Sequence, residues 1–211
     1  MLEIKNITYQ PQTSNKRILE NINFEIKEKE IILISGPSGS GKTSLLEIIG
    51  GLLTAQKGNL FWKGRKISPR QRRWLCGIVF QFPERFFIGT TIGKELKIGR
   101  KSIKQDAIDS VLNQVGLSKV NLSMPPENLS GGQQRRLAVA VQLLRDPSII
   151  LMDEPTAGLD WSMKNDVKDL IHGLKMKKTI IVVTHEAELF NKLPTKNFIL
   201  DKNRINLIGE N

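Results

Sequence analysis

The stretch "SGPSGSGKTSLL", Ser35–Leu46, decides the fold. Gly36, Pro37, Ser38, Gly39, Ser40, Gly41, Lys42 and Thr43 match the spacing G-x-x-x-x-G-K-[ST] of a phosphate-binding loop. Before it, "EIILIS" is a β-branched apolar run of the kind buried on both faces in a parallel sheet. After it, "KTSLLEIIGGLL" has helical character and stops on glycines. Strand, loop and helix in that order let backbone N–H groups and a helix N-terminus converge on phosphate oxygens. Lys42 adds a mobile positive charge directed at the β- and γ-phosphates, Thr43 offers a hydroxyl to Mg²⁺, and Ser44 extends the nucleotide-contacting set.

A second segment, "SIILMDEP" (148–155), ends an apolar strand in two adjacent carboxylates. Side chains alternate along a strand, so the two acids are free to take different tasks. Asp153 is placed to hold the shell of Mg²⁺ and Glu154 to polarise an attacking water, the two requirements of phosphoryl transfer. A third apolar run, "TIIVVTHE" (179–186), brings His185 to the carboxyl end of another strand, where open α/β sheets bind ligands. His172 falls in a helical pattern without a partner and reads as surface.

Composition narrows the classes. The chain has 211 residues, one cysteine and a net charge of +11. A lone Cys76 forms no internal disulfide and belongs to no zinc pattern, which suits a reducing compartment and a core position. No apolar run approaches the roughly 20 residues of a membrane span, and "MLEIKNITYQ" lacks the features of a secretory signal, so the chain is expected to be soluble. The charge favours an anionic partner: a nucleotide, a nucleic acid or a membrane face. The densest basic run, "KGRKISPRQRR" (63–73) between Trp62 and Trp74, is expected to be a solvated stretch of a β-rich region with its aromatics turned inward, rather than a nucleic-acid surface.

Between the loop and the carboxylates stands "LSGGQQRRLAVAVQLL" (129–144). Ser130 suits a helix N-cap, Gly131 and Gly132 expose N–H groups, and Leu137, Ala140, Val141 and Leu144 share one helical face. With this segment the chain resembles, along essentially its whole length, the nucleotide-binding subunit of an ATP-binding cassette (ABC) transporter. An aromatic at Tyr9, the loop at 36–43, Gln81, LSGGQ at 129–133, Asp153 and Glu154, "AGLD" at 157–160 and His185 follow the family's order. The resemblance implies an α/β fold, a P-loop NTPase core with an N-terminal antiparallel β subdomain and a helical insertion. It also implies binding of ATP and Mg²⁺, with hydrolysis of ATP. By the same resemblance Ser130, Gly131, Gly132 and Gln133 contact the γ-phosphate held by a second protomer, homodimeric or related, and Asp160 crosses that interface. Gln81 touches Mg²⁺ and the lytic water. Tyr9 either stacks on adenine or packs on the core as a strand-end residue. Lys29 departs from the family at a turn glycine, and Trp161 at a common proline.

The run "VFQFPERFFIGTTI" (79–92) holds four phenylalanines. Phe80 is expected in a core strand. Phe82, Phe86 and Phe87 form an apolar loop that either docks a partner or fills the interior. In the family this region receives membrane subunits. The run, with "PTAGLD" (155–160), is similar to energy-coupling-factor and cobalt-type ATPases, which implies an importer of a metal ion or vitamin. Phe86 stands where that group often has glutamine. The "FQFPER" run also resembles cyanobacterial and plastid relatives. The expected organisation is one ATPase domain, with core residues about 1–87 and 147–211 and a helical subdomain about 88–146, closed by the strand pair "NFILDKNRINLIG" with no long regulatory domain after it. The resemblance implies a cytoplasmic protein held at the inner face of the membrane by its partners. A soluble non-transport ABC ATPase, in cluster assembly or a nucleic-acid-related role, is the rival reading.

Overall fold

The computed structural model describes residues 1–100, 102–175, 177–191 and 193–210. Strands β1 (Leu2–Tyr9) and β2 (Leu19–Ile26) pair antiparallel, and β3 (Ile31–Ser35) leads through the glycine-rich loop into helix α1 (Lys42–Ile49). Strands β4 (Lys57–Trp62) and β5 (Arg65–Lys66) complete a four-stranded sheet of order β2-β1-β4-β5. Helix α2 (Pro69–Leu75) then enters β6 (Cys76–Val79).

Helices α3 (Ile92–Lys97), α4 (Gln105–Gln114) and α5 (Gly131–Leu144) follow, then β7 (Ile149–Asp153), α6 (Trp161–Leu174) and β8 (Thr179–Thr184). The hairpin β9 (Lys196–Asp201) and β10 (Arg204–Glu210) ends the described chain, as the sequence predicts. The second sheet has the order β10-β9-β3-β8-β7-β6, parallel except for β10.

This sheet is apolar on both faces, and the period of two sorts its side chains between two cores. Ile31, Leu33, Ile150, Met152, Ile180 and Val182 face a core shared with α3–α6. Ile32, Ile34, Ile149, Leu151, Ile181 and Val183 face one shared with α1 and the antiparallel sheet. Cys76 lies in the second core, where burial pushes its thiol up to about 12, an inert group. Among the described residues no helix is long and apolar enough to cross a membrane.

Two expectations need correction. The basic run is not all β-rich: Ser68 and Gln71 form a reciprocal capping box, Pro69 takes the first helical position, and 69–75 is helix α2. Its Trp74 is 73% exposed instead of turned inward, whereas Trp62 packs partly on the second core. Phe80 lies just beyond β6, half-buried and stacked on Phe86 at 4.6 Å. Lys29, at the expected glycine turn, adopts a left-handed φ of 66°, and its N–H donates to Thr179 Oγ1 at 2.9 Å.

Candidate nucleotide site

The parallel register sets the site. Ser35 pairs with Thr184, Asp153 with Val183, and Val79 with Met152, so the loops after β3, β8, β7 and β6 leave the sheet along one edge. That edge, at the carboxyl ends of the strands, is where such sheets form ligand crevices.

The loop after β3 is built for close approach. A Cβ at Gly36 would meet Leu200 O at 2.3 Å, and Gly41, the N-cap of α1, takes a φ of 99° that disfavours a side chain. No side chain caps α1 and no acid lies in its first turn, so its N–H groups face an anion unopposed. Ser40 Oγ is buried without a hydrogen-bond partner, a group a phosphate oxygen would satisfy. Lys42 is not mobile in this arrangement: it is 7% exposed, and its Nζ donates to Gly36 O at 2.8 Å and Pro37 O at 3.0 Å. Pro37, Ser38 and Gly39 form the exposed crest of the loop, and Ser44 is half-buried in the first turn of α1.

Thr43 Oγ1 donates to the Asp153 carboxylate, with contacts of 2.9 and 3.1 Å. Burial raises the Asp153 pKa above the usual range, a tendency the Thr43 hydrogen bond opposes and the Glu154 charge reinforces. A hydroxyl beside one carboxylate is a hard oxygen set of the kind that holds Mg²⁺ jointly with substrate phosphates. No cluster of three His, Cys, Asp or Glu side chains that could hold a metal ion exists among the described residues.

Glu154 turns the other way. Just past β7, at a φ of 44°, its carboxylate accepts from Thr184 Oγ1 at 2.8 Å and from His185 N–H at 3.0 and 3.2 Å. His185 Nδ1 stands 3.0 Å from Glu154 Oε1, and Lys42 Nζ 3.9 Å away. The two acids therefore serve different neighbours. Tyr9 lies near the loop: its carbonyl accepts from Ile18 N–H at 3.0 Å, and a Cβ at Gly41 would lie 3.1 Å from Ile18 O. The Tyr9 ring is half-buried against the second core.

Ser130 caps α5 by accepting from Gln133 N–H at 3.3 Å, and Gln133 Oε1 accepts from Ser130 N–H at 3.0 Å. Gly131 and Gly132 face Leu159 and Met163 of the segment that starts α6. Asp160 caps α6, accepting from Met163 N–H at 2.9 Å. Among the described residues, no hydrogen bond joins Ser130–Gln133 to the 36–43 loop. Gln81 follows β6, and its carbonyl accepts from Arg135 Nη1 at 2.6 Å. Sequence reading passed over Arg135 and Thr184. A buried arginine in a helix and a threonine at a strand end carry no local signal.

A family model described as ABC transporter matches residues 19–157. A chloroplastic ABC transporter I family member 11 from Arabidopsis thaliana is 36% identical over 204 residues, covering 88% of this chain and 72% of that protein. The energy-coupling factor transporter ATP-binding protein EcfA1 of Mycoplasmoides gallisepticum is 37% identical over 199 residues, covering 89% and 70%. The solved structure of cbiO1 from Clostridium perfringens, part of the ABC transporter complex cbiONQ, superimposes with a TM-score of 0.89 at 26% identity, covering 99% of this chain and 88% of that one. A dimeric ATP-binding cassette in a post-hydrolysis state, bound to ADP and Pi, gives 0.84 at 27% identity, covering 100% and 98%. The chain belongs to the ABC transporter family, in which it is an ATP-binding subunit with ATPase chemistry.

Proposed function

We propose that this chain powers an importer of the energy-coupling-factor type, hydrolysing ATP at a dimer interface and passing the closure to membrane subunits. The observation that carries the chemistry is the Thr43–Asp153 hydrogen bond beside the separately held Glu154, which gives one edge both a metal anchor and a candidate base.

In this reading the N–H groups of the 36–43 loop and the α1 N-terminus bind the phosphates of ATP. Lys42 leaves its two carbonyls to follow the β- and γ-phosphates. Thr43, Asp153 and Gln81 would hold Mg²⁺, which when bound would supply positive charge against the phosphates. Glu154 orients the attacking water and takes its proton, and the His185 side chain reaches the γ-phosphate. Since Thr184 and His185 occupy the Glu154 carboxylate here, at least one of those contacts must yield before a water takes its place. Tyr9 stacks on adenine. Ser130, Gly131, Gly132 and Gln133 close on the nucleotide of a second ATPase protomer, with Asp160 at the same interface. The similarity to dimeric ATP-binding cassettes supports a site completed in trans.

The docking part rests on an apolar surface. Phe82 is 37% exposed, Phe86 56% and Ile88 78%, while Phe87 packs on the first core beside a cleft of about 110 Å³ lined by Phe80, Pro83 and Phe86. Exposed aromatics on one turn are suited to a segment of a membrane subunit. The names of the ATP-binding relatives favour transport of the coupling-factor kind; a metal ion or vitamin is then the cargo. Binding through such partners places the chain at the cytoplasmic face of a membrane, and no nucleic-acid contact is needed. Affinity capture of the tagged chain at native abundance in mild detergent, read by mass spectrometry, tests this. Recovery of a multi-span membrane protein supports it; recovery of soluble partners alone favours the assembly-factor reading and overturns transport.

A further inference from the structure

Arg135 lies in the second turn of α5 and is 7% exposed. One guanidinium nitrogen donates to Gln81 O at 2.6 Å, the other donates to Ala157 O, and Nε is buried without a partner. No acid forms an ion pair with it among the described residues. Burial lowers its pKa, and the charge of Glu84 acts against that effect.

A buried cation without a counter-charge opposes folding, and an apolar residue of similar volume is often at least as stable. What an apolar residue cannot do is hold two carbonyls at a fixed separation, which the planar guanidinium does. The two carbonyls belong to different loops. Gln81 opens the aromatic turn at 82–86, and Ala157, whose N–H donates to Glu154 O at 3.1 Å, lies three residues before Asp160. The third body is α5 itself, whose N-terminus begins at the Ser130 cap.

We infer that Arg135 is a positioning residue that couples the Gln81 loop, the 154–160 turn and the LSGGQ helix, so that displacement of the aromatic turn is transmitted to Glu154 and Asp160. This rests on the ATPase reading for the roles of Gln81 and Glu154, but the mechanical link is tested independently. The full chain would be prepared as the parent and as Arg135→Gln, with Arg135→Lys as a charge-preserving second variant should Arg135→Gln fail to fold.

The expected result is a melting temperature within about 5 °C of the parent and ATP affinity within about threefold, with kcat at least about tenfold lower and a raised half-saturating Mg²⁺ concentration. Hydrogen exchange should quicken in both 81–87 and 154–160. An unchanged kcat, or exchange altered in only one loop, would overturn the coupling. If the parent itself turns over no ATP, the functional proposal falls, and exchange in the two loops alone decides the role of Arg135.

Discussion

Glu154 combines an unfavourable backbone with a crowded carboxylate: a φ of 44° in a non-glycine residue, three contacts from His185 and one from Thr184. Strain of this kind persists only where surrounding contacts hold it, and here the end of β8 does so. Glu154→Gln keeps the volume and removes the base; turnover should fall at least about 100-fold while ATP binding stays within about threefold. Fluorescent-nucleotide titration beside a phosphate-release assay measures both. Lys42→Ala should show the opposite signature, a loss of affinity first, because its ammonium is the positive charge held along the phosphate loop.

A second carboxylate gives a pH-dependent prediction. Glu186 pairs with Lys164 and accepts from Thr156 at 2.9 Å, and the Lys164 contact holds its pKa below the ordinary value of 4.5. The fold favours the ionised form, so this stabilisation is complete above the ordinary carboxylate range and is lost as pH falls through the depressed folded value. Glu186→Gln should therefore cost about 0.5–1 kcal/mol at neutral pH, with the difference from the parent shrinking toward zero in acid. Urea unfolding at several pH values checks this; a constant difference would refute it.

Helix ends decide more here than helix interiors. α5 begins with a reciprocal Ser130–Gln133 capping box, and Ser130→Ala should lower stability by about 1 kcal/mol, read as a shift in the urea midpoint at constant slope. The same pattern starts α2: Ser68, Pro69 and Gln71 are a start signal, but only Arg72 is buried in its seven residues, so no apolar period marks the helix. Its arginines act at the end of α1, Arg72 donating to Ile48 O at 2.6 Å and Arg73 to Gly51 O at 2.8 Å. A run that reads as solvated charge is in part a C-terminal cap built from a distant segment.

Over the whole molecule, exposed apolar side chains gather by chain proximity around the 82–88 turn. Replacing Phe86, 56% exposed and stacked on Phe80, with Ser should lower folding stability by only about 1 kcal/mol yet abolish recovery of a membrane partner in affinity capture. Specific ATPase activity of the isolated chain should rise with its own concentration if a second protomer completes the site; activity per molecule independent of concentration would exclude a site completed by a second copy.

The sequence alone determined those features whose signal is local: the phosphate loop between a β-branched strand and a helix, the paired acids after an apolar strand, and the N-cap at Ser130. Each depends on spacing that backbone geometry forces. Tertiary structure alone decided that Trp74 faces outward, that Lys42 lies along its own loop, and that Glu154 is held by Thr184 and His185. It also decided that Arg135 bridges two loops. The Glu154–Thr184 and Thr43–Asp153 contacts depend on the register of parallel strands, which brings residues 30 and 110 positions apart together, and no local period encodes a pairing that the sheet creates only when it closes.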